Sequence, residues 1–296
     1  MRYRDRNGIE TGADSGQDRF LRKLYKTTAG RLLVYLLIRP AVSRLGGRLL
    51  DQRGSRVLIR PFIRSAGIHM EEYTRQKVSD YDSYNDFFCR RIRPELRPVE
   101  HDEDAFISPC DGKLSVYPIR RDAGFRIKNT YYTVESLLKS PRLAQRYAGG
   151  FLCLFRLTVE DYHRYVYAES GMKSEQRKIP GVYHTVNPAA GDVCPIYQEN
   201  TREYCLIRTR RAGVLVQMEV GALLVGKISN CHPGRTSALR GQEKGKFEFG
   251  GSTIVVIIQP GKVRIDQELL DNTADHWETK VRLGERIGTI SASAPD

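Results

Sequence analysis

The chain has 296 residues, 40% of them hydrophobic, and 48 Lys+Arg against 35 Asp+Glu give it a formal net charge of +13. That length and apolar content exclude disorder as the main state and suit one large domain or two smaller ones. Residues 1–60 alone hold 14 Lys/Arg and five Asp/Glu, a surplus of +9, so the positive charge is concentrated in a basic arm suited to a polyanion, either nucleic acid or anionic lipid.

The N-terminus stays largely polar up to Phe20 and lacks the apolar core of a secretory signal. The apolar run Leu32 to Ile38 is seven residues long, and a spanning helix needs about 20, so no membrane crossing is expected. From Arg19 to Arg60 the pattern is helical, with Leu21, Leu24 and Tyr25 ahead of that run, Pro40 as a break, and Val42, Leu45, Leu49 and Leu50 after it. Arg31, Arg39, Arg44 and Arg48 flank these apolar positions, the build of a helix lying in a membrane interface; two ordinary packed helices are the alternative. Further on, Ser83 is placed to cap a short helix over Tyr84-Asn85-Asp86-Phe87-Phe88 that ends before Pro94. Arg90, Arg91, Arg93 and Arg97 then form a second basic cluster, read as a solvated face.

From about Ile107 short apolar runs alternate with Gly, Pro and charged residues, the signature of β structure. Strands are expected near Lys113 to Pro118, Phe151 to Val159, Glu203 to Arg208, Val214 to Val220, Leu223 to Ser229, Phe247 to Phe249 and Thr253 to Gln259. A helical stretch, Val134 to Tyr147, is broken near Pro141, and Glu243-Lys244-Gly245-Lys246 reads as an exposed loop. The fold class expected is α+β, with basic amphipathic N-terminal helices over residues 1–68 and a β-rich core over 69–296. Six cysteines (Cys89, Cys110, Cys153, Cys194, Cys205 and Cys231) are scattered without a paired framework, which suits a reducing compartment.

Three islands carry chemistry. In Gly250-Gly251-Ser252-Thr253, ahead of the apolar run Ile254 to Ile258, two glycines set an unhindered carbonyl before a hydroxyl, where the Ser252 Oγ has access to the preceding peptide carbon; a plain turn is the alternative. Asp161-Tyr162-His163-Arg164-Tyr165 follows a strand end, a setting that holds an imidazole at a cavity mouth. Ser108-Pro109-Cys110-Asp111-Gly112 is a tight turn whose carboxylate would orient that imidazole. Asp111, His163 and Ser252 therefore supply orienter, base and nucleophile, and no Gly-x-Ser-x-Gly elbow surrounds Ser252. A serine hydrolase and a basic membrane- or nucleic-acid-binding module are the competing readings; the lack of aromatic-basic alternation on a β face argues against nucleic acid.

Together with Tyr183-His184-Thr185-Val186-Asn187-Pro188, Val220-Gly221-Ala222-Leu223-Leu224-Val225-Gly226 and the entry segment Tyr84 to Phe88 with Arg90-Arg91, these islands resemble the phosphatidylserine decarboxylase family in order and spacing over roughly residues 70–270. The resemblance implies a proenzyme that cuts itself between Gly251 and Ser252, giving a β chain 1–251 and an α chain 252–296 that stay together as a heterodimer, with a higher oligomer left open. Ser252 would become a covalent pyruvoyl group, whose ketone forms a Schiff base with the amine of phosphatidylserine and accepts electrons as CO2 departs to give phosphatidylethanolamine. No metal and no nucleic acid partner are expected. His163, oriented by Asp111, would act as base in the cut and as acid in the decarboxylation. Tyr162, Tyr165 and His184 are candidate substrate contacts, with Tyr167 and Tyr183 as further candidates for an amphipathic pocket wall. Two positions depart from the family pattern: Val166 stands where many members carry a second histidine, leaving His184 as the candidate helper, and Gly250 stands where leucine is frequent. The expected location is peripheral, on the cytoplasmic face of the cell membrane, where basic helices meet an anionic lipid.

Overall fold

The apolar run Ile254 to Ile258 has no polar alternation, so it must be covered on both faces, and it lies buried at the centre of an eleven-stranded sheet. The computed structural model describes residues 2–12, 23, 25, 27, 30, 34–35, 37–127, 130–186, 195–222, 227–248 and 252–291. Expectations that rest on Leu21, Leu24, Leu32, Leu33, Asn187, Pro188, Cys194, Leu223 to Gly226 and Phe249 to Gly251 lie outside the described residues.

The central strand Ser252–Ile258 runs antiparallel to Val214–Val220 on one side and Phe151–Leu157 on the other. Beyond them stand Arg202–Thr209 on the first side, and Gly112–Pro118 then Glu278–Val281 on the second. The strand Arg2–Arg4 continues this edge, parallel to Glu278–Val281. Tyr25, Val34 and Ile38 join the same core as the central strands, so residues on both sides of the expected 68/69 boundary share one core. A three-stranded sheet of Ile228–Asn230, Glu243–Phe247 and Arg164–Val166 forms a second layer, and another pairs Val263–Ile265, Arg286–Ile290 and Ala105–Ile107. The class is α+β, as expected.

Several helices follow local signals. Ser83 accepts a hydrogen bond from the Asp86 amide and opens the helix Tyr84–Phe88. The stretch after Thr133 divides into Val134–Leu138 and Pro141–Ala144, because proline suits a first helical turn and not an interior. Pro40 likewise begins the helix Pro40–Leu50. The helix Ile59–Ala66 follows, and its Ile59, Phe62 and Ile63 pack on Tyr81, Tyr84, Phe87 and Phe88.

Two expectations are corrected. Glu243 to Lys246 belongs to the strand Glu243–Phe247, with Lys244 fully buried and its Nζ 2.7 Å from Glu219 Oε1. A charge run reads as solvated only while no partner is known; here a carboxylate from a distant strand neutralises the lysine. Gly245 is required there because a Cβ would lie 2.4 Å from the Ser229 carbonyl oxygen. The second basic cluster is only partly solvated: Arg90 is buried over the Tyr73 and Phe87 rings, and Arg97 closes on Asp111 at 2.6 Å.

Candidate active site

Sheet register brings the three islands to one end of the sheet. Ser252, the first residue of the central strand, pairs with Leu157, the last of Phe151–Leu157. On the other side of that strand Gly112 begins its own strand, so close that a Cβ would stand 3.0 Å from the Arg156 carbonyl oxygen. Asp111 therefore arrives at the same end, and the turn after Leu157 delivers His163 there. The backbone confirms the neighbourhood: the Phe247 amide, five residues ahead of Ser252, donates to the His163 carbonyl at 3.0 Å.

The turn is fixed by Asp161. Its carboxylate accepts from the Thr158 amide at 2.7 Å and from Lys113 Nζ at 2.7 Å. Burial alone would raise this carboxyl, but the Lys113 ammonium and the Thr158 bonds hold it below the ordinary carboxylate range. The Asp161 main-chain oxygen faces His163 Nδ1 at 2.9 Å, and Phe88 packs against the imidazole with ring centroids 4.2 Å apart. A carbonyl oxygen only accepts, so Nδ1 carries the proton and Nε2 keeps its lone pair. His163 is 1% exposed, and Nε2 has no hydrogen-bond partner among the described residues. Burial pushes its pKa down to about 4, opposed by the Asp161 charge and reinforced by Arg90 and Lys113, so the ring is a neutral base at pH 7.

Ser252 is 0% exposed and its Oγ has no partner among the described residues. A buried hydroxyl without a hydrogen bond costs about 1–3 kcal/mol, a cost that a purely structural serine would shed. A hydroxyl and an imidazole nitrogen, both buried at the same end of the sheet and without partners among the described residues, are the donor and the base that a proton transfer from serine to histidine requires.

Asp111 is placed differently from expectation. Its carboxylate is held by Arg97 and accepts from the Leu283 amide at 2.8 Å, and among the described contacts none joins it to His163. The imidazole is oriented instead by the Asp161 carbonyl, which sequence reasoning passed over although Asp161 lies in the same island. Nothing in side-chain chemistry marks a residue that acts through its backbone.

The candidate substrate contacts are mostly built into packing. Tyr162 joins a cluster with Tyr73, Ile92, Ile107, Val166 and Leu283, and burial pushes its phenol up to about 12. Tyr165 is fully buried against Phe247, ring centroids 5.0 Å apart, and the Tyr167 hydroxyl meets His232. The His184 ring lies between the Tyr25 hydroxyl and Glu199, and burial lowers its pKa against the Glu199 charge. Its main chain is tied to the Ser252 end of the sheet: Asn200 Nδ2 donates to the carbonyls of both His184 and Gly221, and Gly221 follows Val220, the partner of Thr253.

Comparison with known sequences places the chain among the decarboxylases. Residues 84–289 match the family model described as phosphatidylserine decarboxylase, and the chain belongs to that family. It is 40% identical over 269 residues to phosphatidylserine decarboxylase proenzyme 2 of Clostridium acetobutylicum, covering 90% of this chain and 91% of the relative. It is 36% identical over 275 residues to a phosphatidylserine decarboxylase proenzyme of Clostridium novyi, covering 92% and 93% respectively. A proenzyme of the same name from Fusobacterium nucleatum is 34% identical over 271 residues, covering 90% of each chain.

Proposed function

We propose that this chain is the precursor of a phosphatidylserine decarboxylase, and that it cuts itself between Gly251 and Ser252. The observation that carries the reading is the buried Ser252 Oγ at the start of the central strand, at the same sheet end as His163 Nε2, both atoms without a hydrogen-bond partner among the described residues. His163 Nε2 takes the Ser252 Oγ proton, and the alkoxide attacks the Gly251 carbonyl carbon, exchanging the peptide bond for an ester. Elimination releases the Gly251 carboxylate and leaves a dehydroalanine at 252, whose hydrolysis yields ammonia and the pyruvoyl group.

The Ser252 position fits that group, because its hydroxyl is sequestered from water and bound to no other residue described. A pyruvoyl ketone supplies an electron sink for the carbon that loses CO2. We assign the return of a proton to that carbon to His163, which lies at the same end of the sheet, and its low pKa makes any proton it holds a strongly acidic one.

The heterodimer reading is supported by topology. A cut before Ser252 leaves Ser252–Ile258 hydrogen-bonded between two strands of residues 1–251, and Glu278–Val281 and Arg286–Ile290 paired to Gly112–Leu114 and Ala105–Ile107. The α chain 252–296 is thus retained by the sheet itself.

No described helix is long and apolar enough to cross a membrane. Peripheral attachment through the segment 40–66 is supported by Leu45 (60% exposed), Leu49 (56%) and Val57 (74%), set among exposed Arg44, Arg48, Arg53 and Arg60. Apolar side chains enter the acyl boundary while guanidiniums bind phosphates, each cation adding about 1 kcal/mol on an anionic surface. The cytoplasmic face fits the five described cysteines, all free thiols.

The test is intact mass and electrophoresis of protein purified from cells. Wild type runs as two fragments, the larger ending at Gly251, and Ser252→Ala runs as one chain with no decarboxylase activity. A cleaved or active Ser252→Ala protein overturns the reading.

A further inference from the structure

We propose that the face of the main sheet opposite Ser252 carries a second ligand site, which takes a single-chain amphipathic acid: one alkyl chain bearing a carboxylate or a phosphate. A cavity of about 920 Å3 lies there, between the sheet, the helix Gln267–Ala274 and the hairpin of Gly124–Ile127 with Thr130–Thr133. Side chains alternate along a strand. Arg156 pairs with Thr253, and Leu154 with Val255 and Ser115, so the cavity's sheet wall shares the face of Thr253. Ser252 pairs with Leu157 and projects from the other face, toward the layer that holds His163. The cavity therefore stands apart from the proposed cleavage chemistry.

Its walls suit a hydrocarbon chain. Tyr132, Tyr197, Leu154, Ile196, Leu270 and Trp277 all line it, and about 300–1,000 Å3 with a mostly apolar lining is the usual form of a small-molecule site. Its charges select the head group. Arg156 is neutralised by Glu278, and Asp271 accepts from Gln267. The exposed guanidiniums of Arg2 and Arg126 line the same cavity, and neither has a carboxylate partner among the described residues; Arg2 lies 5.9 Å from the centre of the Trp277 ring. Among the described residues lining the cavity, two unpaired cations stand against the single unpaired carboxylate of Asp271, which favours an anionic head beside an apolar wall.

Trp277 is the only tryptophan in the chain, so its fluorescence reports on this cavity directly. Purified protein, in whatever cleavage state it is obtained, is titrated with dodecanoate and with dodecyl phosphate below their micelle concentrations, with equilibrium dialysis giving stoichiometry. The expected result is a saturable change at one ligand per chain, weakened at least tenfold in Arg2→Glu/Arg126→Glu. Both positions are exposed, and an unchanged melting temperature confirms that the variant is folded. The tighter of the two acids identifies the head group. Non-saturating titrations, equal binding of dodecylamine, or undiminished binding by the double variant each overturn the proposal. None of these readouts depends on whether Ser252 is the site of self-cleavage.

Discussion

The main-chain oxygen of Asp161 lies 2.9 Å from Nδ1 of His163, and this one contact sets which nitrogen is left to act as a base. Burial holds the folded pKa at about 4 against an ordinary 6.5, so between these values the unfolded chain binds a proton that the folded chain refuses. This contribution is complete above pH 6.5 and is lost as the pH falls toward 4, a swing of about 3 kcal/mol at 1.36 kcal/mol per unit. Urea unfolding of uncut Ser252→Ala protein at pH 7 and pH 4.5, compared with Ser252→Ala/His163→Gln, isolates it from the carboxylates. Equal acid sensitivity of the two proteins would show that His163 is not buried in this way.

Lys113 and Asp161 form a buried pair at 2.7 Å beneath the same turn. Lys113→Met leaves a buried carboxylate without its cation and is expected to cost about 3–5 kcal/mol. Lys113→Met/Asp161→Asn should recover much of that loss, and self-cleavage with it, since the main-chain oxygen that orients His163 survives the change. Cleavage that stays absent in the refolded double variant would assign the Asp161 carboxylate a direct part in the reaction.

Asp111 is expected to act through position. Its carboxylate joins Arg97 to the Leu283 amide, so Asp111→Asn and Arg97→Met should slow cleavage to a similar degree, and the double variant should be no slower than either. A pulse-chase measurement of cleavage gives the three rates. Full cleavage in Arg97→Met beside none in Asp111→Asn would restore direct contact between Asp111 and the imidazole.

Leu45→Glu/Leu49→Glu places charge on the exposed side of the helix Pro40–Leu50, where neither leucine is buried. Flotation with vesicles rich in anionic lipid should fall at least tenfold while self-cleavage and melting temperature hold. Activity should drop on vesicles and persist on substrate dispersed in detergent. Unchanged flotation would place the membrane contact elsewhere.

The local chemistry was legible because it rests on short-range rules. The Ser83 cap, the break at Pro141, the two-sided burial of Ile254 to Ile258 and the three chemical islands all follow from residue type and spacing. Lys244 and Arg90 read as solvated in the sequence because burial of a cation depends on neighbours far away in the chain, Glu219 in one case and the Tyr73 and Phe87 rings in the other.

What the sequence by itself determined was which groups are proposed to react, Ser252 and His163, since a hydroxyl after an unhindered carbonyl and an imidazole after a strand are properties of the chain. Only the tertiary structure decided how the imidazole is held. Strand register sets Gly112 and Ser252 on either side of the end of Phe151–Leu157, and the turn that follows presents a backbone oxygen, not the Asp111 carboxylate, to Nδ1. A peptide carbonyl is common to every residue, so its selection as the orienting group depends on where the fold puts it.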